Sequence, residues 1–161
     1  LLRAREGMGL DEGRLLLLYA LFNVVEAALG YAAGRWSDRV GRRAPIVGGW
    51  GVFALVYAGF AALEASWAPW VLMPLYGLYA TLAQGASKAL AADLADPARR
   101  GAQMGAYHLT VGAAALPSSL LAGWLYRVVG PWAPFALGSA TAACAALWLG
   151  WAPGKKAGEA A

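Results

Sequence analysis

Apolar residues in this chain gather into five long runs, over residues 15–34, 45–63, 69–92, 102–124 and 133–151. Each is close to the ~20 residues that a helix needs to cross a hydrocarbon core. The polar breaks between them are short, at 35–44, 64–68, 93–101 and 125–132. Gly48, Gly49, Gly51, Pro74, Gly77 and Pro117 fall inside runs. Such residues argue against helices in water but are tolerated in membrane helices, where neighbours re-satisfy freed backbone groups. Pro45, Pro69 and Pro134 stand near run starts, where a missing N–H costs nothing. Trp36, Trp67, Trp70, Trp132 and Trp151 mark run ends, as interfacial anchors do. The pattern predicts an all-α, polytopic bundle of five transmembrane helices over residues 1–152. A small, polar and disordered tail is expected over 153–161.

Composition agrees. Apolar residues make up 60% of the 161, charged residues only 14%, and the mean hydropathy is +0.52. A soluble domain carries about a quarter charged residues to face water. The net charge of +4 does not point to nucleic acid, because the cations sit in gaps between apolar runs rather than along one face. Cys144 is the one cysteine and His108 the one histidine, so neither a disulfide framework nor a metal site is expected.

Loop cations set the expected orientation. Arg35, Arg39, Arg42, Arg43, Arg99, Arg100, Lys155 and Lys156 fall on one side, and Arg3, Arg5, Arg14 and Arg127 on the other. The side with eight is expected to be cytoplasmic, with the C-terminus inside and the protein in the cell (inner, cytoplasmic) membrane.

The chain also repeats itself. Gly34, Val40, Gly41, Ala44, Pro45 and Gly49 recur 89 residues later as Gly123, Val129, Gly130, Ala133, Pro134 and Gly138. The same offset carries the first run onto the fourth and the second onto the fifth. Applied backwards to the third, it reaches upstream of Leu1, so a further helix is expected there, ending in Leu1-Leu2-Arg3. Three-helix units in inverted topology are a transporter architecture.

The stretch Gly34-x-x-x-Asp38-Arg39-x-Gly41-Arg42-Arg43 resembles the signature loop of the major facilitator superfamily, with Trp36 where leucine is usual. Asp93-x-x-x-Pro97-x-Arg99-Arg100-Gly101 is similar to that family's loop before its eleventh helix. The resemblance covers residues 1 to about 152 and maps them to the end of helix seven plus helices eight to twelve. It implies one half of a secondary transporter working by alternating access, with the other half needed for transport and no cofactor. It also implies that the second and fifth runs are peripheral, while the others face the cavity or the seam between halves. Asp38 is a candidate conformational latch, able to pair with Arg39 or Arg42 or to face a helix N-terminus. For Arg35 and Arg43 the plainer role is contact with lipid phosphates.

Polar residues inside the runs are expensive in hydrocarbon and face protein or water. On a 3.6-residue helix Tyr19, Asn23, Glu26, Gly30 and Gly34 share a stripe, as do Pro74, Gly77, Thr81, Gln84 and Lys88. Gly101, Gly105, His108, Gly112 and Ser119 form a third. Thr81, Gln84 and Lys88 are the candidate contacts to a small-molecule solute; Tyr76 and Tyr79 fall opposite and are expected to pack. Glu26 lies roughly 12 Å from the cytoplasmic end of its run, His108 roughly 9 Å and Lys88 roughly 6 Å. Lys88 is within snorkelling reach of the interface; Glu26 is not. Glu26 is therefore the first candidate for proton coupling and His108 the second. No phosphate loop, G-x-S-x-G elbow or C-x-x-C pair is present, and the protein is not expected to be an enzyme. An intramembrane enzyme using Glu26 and His108, and a non-transporting scaffold from a truncated gene, stand as the other readings.

Overall fold

The computed structural model describes residues 11–151, and the expected tail at 153–161 lies outside the described residues. Among the described residues six α-helices follow in order: α1 (Glu12–Val40), α2 (Arg43–Ala62), α3 (Ala68–Tyr79), α4 (Gly85–Asp93), α5 (Arg100–Val128) and α6 (Ala133–Trp151). A π-helical turn, Ala80–Gln84, joins α3 to α4 without a break. The six therefore form five rods, as the apolar runs predict. Four helices (α1, α2, α5 and α6) are individually long and apolar enough to cross a membrane. The third rod is α3, the π turn and α4 together.

Most helix ends lie outside the apolar runs, because a rod continues through its polar flanks. Asp11 begins α1 with its carboxylate accepting from the Arg14 N–H at 3.1 Å, the usual repair of an orphan N-terminal donor. At the other end α1 runs through Arg35, Ser37, Asp38 and Arg39, so the expected ten-residue loop is only Gly41 and Arg42. Gly41 makes this reversal at φ +86, where a Cβ would clash.

The only other positive φ among the described residues belongs to Gly130, at +136. Gly130 is the repeat mate of Gly41, 89 residues on. The bounds of α5 and α6 likewise fall within one residue of those of α1 and α2 carried forward by that offset. Three crossings separate the mates, so they run in opposite directions: the half is an inverted repeat.

Packing centres on α2, which touches α6, α3, the π turn and, less closely, α1 and α4. Glycines make this possible. A Cβ on Gly49 would lie 2.7 Å from that of Ala83, one on Gly59 2.8 Å from the Leu72 side chain, and one on Gly138 2.6 Å from the Tyr57 ring. Ser139 adds a hydrogen bond between helices, donating to the Ala54 carbonyl at 2.7 Å. Phe53 stacks on Tyr57 at 3.9 Å, and Tyr76, Tyr79 and Phe135 close the cluster. Tyr76 and Tyr79 thus pack, as their face predicts. Within this chain the second rod is the central one, because its glycines and aromatics let the last rod, the third and the first approach. By contrast α5 buries no residue and rests mainly on α6 and α4.

Candidate functional site

The signature stretch and the second motif meet at one end of the bundle. Arg42, placed by the Gly41 reversal, reaches both. Its Nε donates to Asp93 Oδ2 at 2.8 Å, and its Nη1 donates to Asp38 Oδ1 and, at 3.2 Å, to the Ser37 hydroxyl. One guanidinium therefore ties the last turn of α1 to the last residue of α4. The Asp93 hydrogen bond, and then that of Asp38, raise the Arg42 pKa above its ordinary value, so the group is charged throughout the physiological range. Asp38 and Asp93 are half exposed, and exposed pairs of this type are weak and easily exchanged. Ser37 is only 3% exposed, the one buried polar side chain among the described residues.

Of the partners open to Asp38, the structure selects Arg42. Arg39 instead lies with Tyr31, Arg35 and Trp36 along the outer side of α1. Arg43 turns away from the pair, donating from Nε (2.8 Å) and from Nη2 to the Leu149 carbonyl. It thereby satisfies a carbonyl in the last turn of α6, a favourable place for a cation, which differs from the lipid-phosphate role expected of it. In the second motif Arg100 donates to the Ala92 carbonyl at 3.0 Å. Asp96 accepts from the Ala98 N–H, while Pro97 and Gly101 are exposed around the start of α5. The Arg42–Asp93 link has no local sequence signal, since the partners stand 51 residues apart. Only the shared side of the two loops hinted at it.

The polar stripes fare differently. Thr81 donates back to the Gly77 carbonyl at 2.8 Å and lines a crevice with Gly30, Gly34, Gly85 and Ala89. Gln84 and Lys88 stay exposed and do not line it. The π turn explains the split: its wider winding rotates residues after Ala80 off the 3.6-residue stripe. Glu26 is exposed on α1, and His108 is exposed on α5 with its ring 5.2 Å from that of Tyr107. Because α1 packs on the third rod and α5 on α6, these two stand on separate parts of the bundle.

An inverted pair of apolar helical hairpins, one carrying an arginine clasp, defines a multi-pass membrane helix bundle. The chain belongs to the Major Facilitator Superfamily, whose family model matches residues 4–161. It is 31% identical over 154 residues to an uncharacterized MFS-type transporter of Methanocaldococcus jannaschii, covering 92% of this chain and 38% of that protein. It is 34% identical over 110 residues to the multidrug resistance protein MdtH of Cronobacter sakazakii, covering 66% of this chain and 27% of that protein. The chain thus spans well under half the length of these relatives. No solved structure matches.

Proposed function

We propose that this chain acts as the C-terminal half of a secondary active transporter that moves a small solute across the cytoplasmic membrane by alternating access. Its C-terminus and the Gly41 hairpin face the cytosol, and a second, N-terminal half completes the solute path. The observation that carries the reading is Arg42 between Asp38 and Asp93. A clasp across two rods, weak enough to open and remake, suits a device that holds one of two states without locking it. Gly34, Asp38, Arg39, Gly41, Arg42 and Arg43 form the hairpin side of this latch. Asp93, Pro97, Arg100 and Gly101 form the opposing loop. Thr81, Gln84 and Lys88 remain the first residues to test for solute contact.

Glu26 is the group to test for proton coupling, followed by His108. The likeness to a multidrug resistance protein makes a panel of drugs the first substrates to try. The test is flux into proteoliposomes holding the complete transporter, with and without a pH gradient. Gradient-dependent flux that Glu26→Gln abolishes, while solute exchange persists, supports coupling through that carboxyl. Flux whose pH dependence survives the substitution removes Glu26 from the mechanism, and an absence of any solute flux removes the transporter reading.

A further inference from the structure

The 29 residues of α1 span roughly 44 Å, against a hydrocarbon core of ~30 Å, so its last turns lie at the level of lipid headgroups. The arginines at this end of the bundle fall into two groups. Arg42 is engaged by Asp38 and Asp93, Arg43 by the Leu149 carbonyl and Arg100 by the Ala92 carbonyl. Arg35 and Arg39 have no carboxylate or carbonyl partner among the described residues, and both are exposed. Arg35 instead stands over the Tyr31 ring, 5.7 Å from its centroid.

The two free arginines are four residues apart on one helix, and like charges so placed destabilise it. An anion held between them turns that repulsion into attraction. The surface around them has room for one. Tyr31, Ala32, Arg35, Trp36 and Arg39 line an open hollow of about 280 Å³. Guanidinium groups grip phosphate oxygens through paired N–H donors, and Tyr and Trp rings are at home among headgroups.

The position of the hollow on α1 indicates where the phosphate comes from. At 3.6 residues per turn Arg35 lies half a turn round the helix from Glu26, and nearly so from the buried Ser37. The hollow is therefore turned away from the polar stripe and from the crevice that Ser37 lines with the third rod. Along the same side Tyr31, Val24 and Leu17 follow one another every seven residues, all well exposed. Two guanidinium groups above an apolar row match a phosphodiester above its acyl chains. A soluble phosphate ester would leave that row uncovered.

We propose that Arg35 and Arg39 hold the headgroup of one anionic phospholipid, with Tyr31 and Trp36 as the rim of the site and the chains lying along Val24 and Leu17. The outer side of α1 thereby prefers a net-negative headgroup to a zwitterionic one. The inference rests on the membrane-crossing helices and not on solute transport.

The test is native mass spectrometry of the complete transporter in detergent micelles, titrated with phosphatidylglycerol or with phosphatidylcholine. The first phosphatidylglycerol should bind at least fivefold tighter than phosphatidylcholine. Arg35→Lys combined with Arg39→Lys keeps the charge but removes the planar donor forks, and should weaken that first lipid at least fivefold. Arg99→Gln removes a whole cation from the neighbouring loop and should change the affinity less than twofold. A smaller loss in the lysine pair, or an equal loss in Arg99→Gln, means diffuse attraction by loop charge and overturns the site. Glycerol 3-phosphate is the soluble probe: displacement of the lipid by an equal concentration of it overturns the assignment to a lipid. None of these readouts uses solute flux, so failure of the transport reading leaves the test intact.

Discussion

Substituting alanine for Gly49 places one methyl group where the fold leaves no room. The new Cβ would lie 2.7 Å from the Cβ of Ala83, 2.8 Å from its backbone nitrogen and 3.1 Å from its Cα. Carbon atoms in ordinary contact sit ~3.5–4.0 Å apart, so α2 and the π turn must separate by about 1 Å. The obstacle is largely backbone, with no side chain free to rotate away, and Ala83 is almost wholly buried. Overpacking a filled site costs ~1–3 kcal/mol, and alanine returns about 1 kcal/mol of helix propensity. The net expectation is a loss of up to ~2 kcal/mol, equivalent to a fall of up to about 8 °C in Tm for a chain of this size. Intrinsic tryptophan fluorescence in detergent reads it directly. Gly48→Ala and Gly51→Ala are internal controls on the same helix, because neither would-be Cβ has an atom within 4 Å, and both should melt no lower than the parent. If Gly49→Ala melts at or above the controls, the close approach of α2 to the π turn is wrong.

Three further outcomes follow from the same packing. Gly138→Ala presses on the Tyr57 ring, which is stacked on Phe53 at 3.9 Å; a ring yields more than backbone, so its melting loss should be smaller than that of Gly49→Ala. Ser139→Ala removes the 2.7 Å bond to the Ala54 carbonyl; membrane hydrogen bonds of this type average ~0.6 kcal/mol, so a Tm loss above about 4 °C would mean that more than this bond was lost. Arg43→Gln frees the Leu149 carbonyl, and hydrogen exchange should quicken in the last turn of α6 (residues 148–151) while α2 is unchanged. Equal quickening along both helices would show that Arg43 supports the whole α2–α6 interface instead.

The sequence was most informative where one physical requirement acts alone. Hydrocarbon crossing demands long apolar runs, so the five rods could be read directly, and the last matched 133–151 at both ends. The reversals at Gly41 and Gly130 were marked by glycine because the backbone there needs positive φ. What stayed hidden depends on two segments at once. Arg42 had several carboxylates within plausible reach, and only the folded hairpin brings it to Asp93. The π turn leaves no distinctive residue, since Ala80–Gln84 reads as ordinary helix; consequently the stripe through Thr81, Gln84 and Lys88 was drawn straight where the rod is rotated. Arg43 looked like any loop cation until α6 brought the Leu149 carbonyl beside it.

The two hairpins of the repeat share a backbone but not a chemistry, and that difference bears on how such a half can work. Carrying the signature residues forward by 89 puts Arg127 where Asp38 was, Pro131 where Arg42 was and Trp132 where Arg43 was. The acid has become a base and the cations have become a proline and an aromatic, so no clasp can form there. Instead Gly130 lies against Trp132, whose indole nitrogen is 3.3 Å from the glycine's would-be Cβ. An inverted repeat places the mates at opposite ends of the bundle, which gives the half an ion-paired end and an aromatic one. A symmetric pair of clasps would hold both ends closed with similar strength. In the alternating-access reading proposed above, one clasp would bias the protein toward a single conformation, and a ligand would then have only that one bias to overcome.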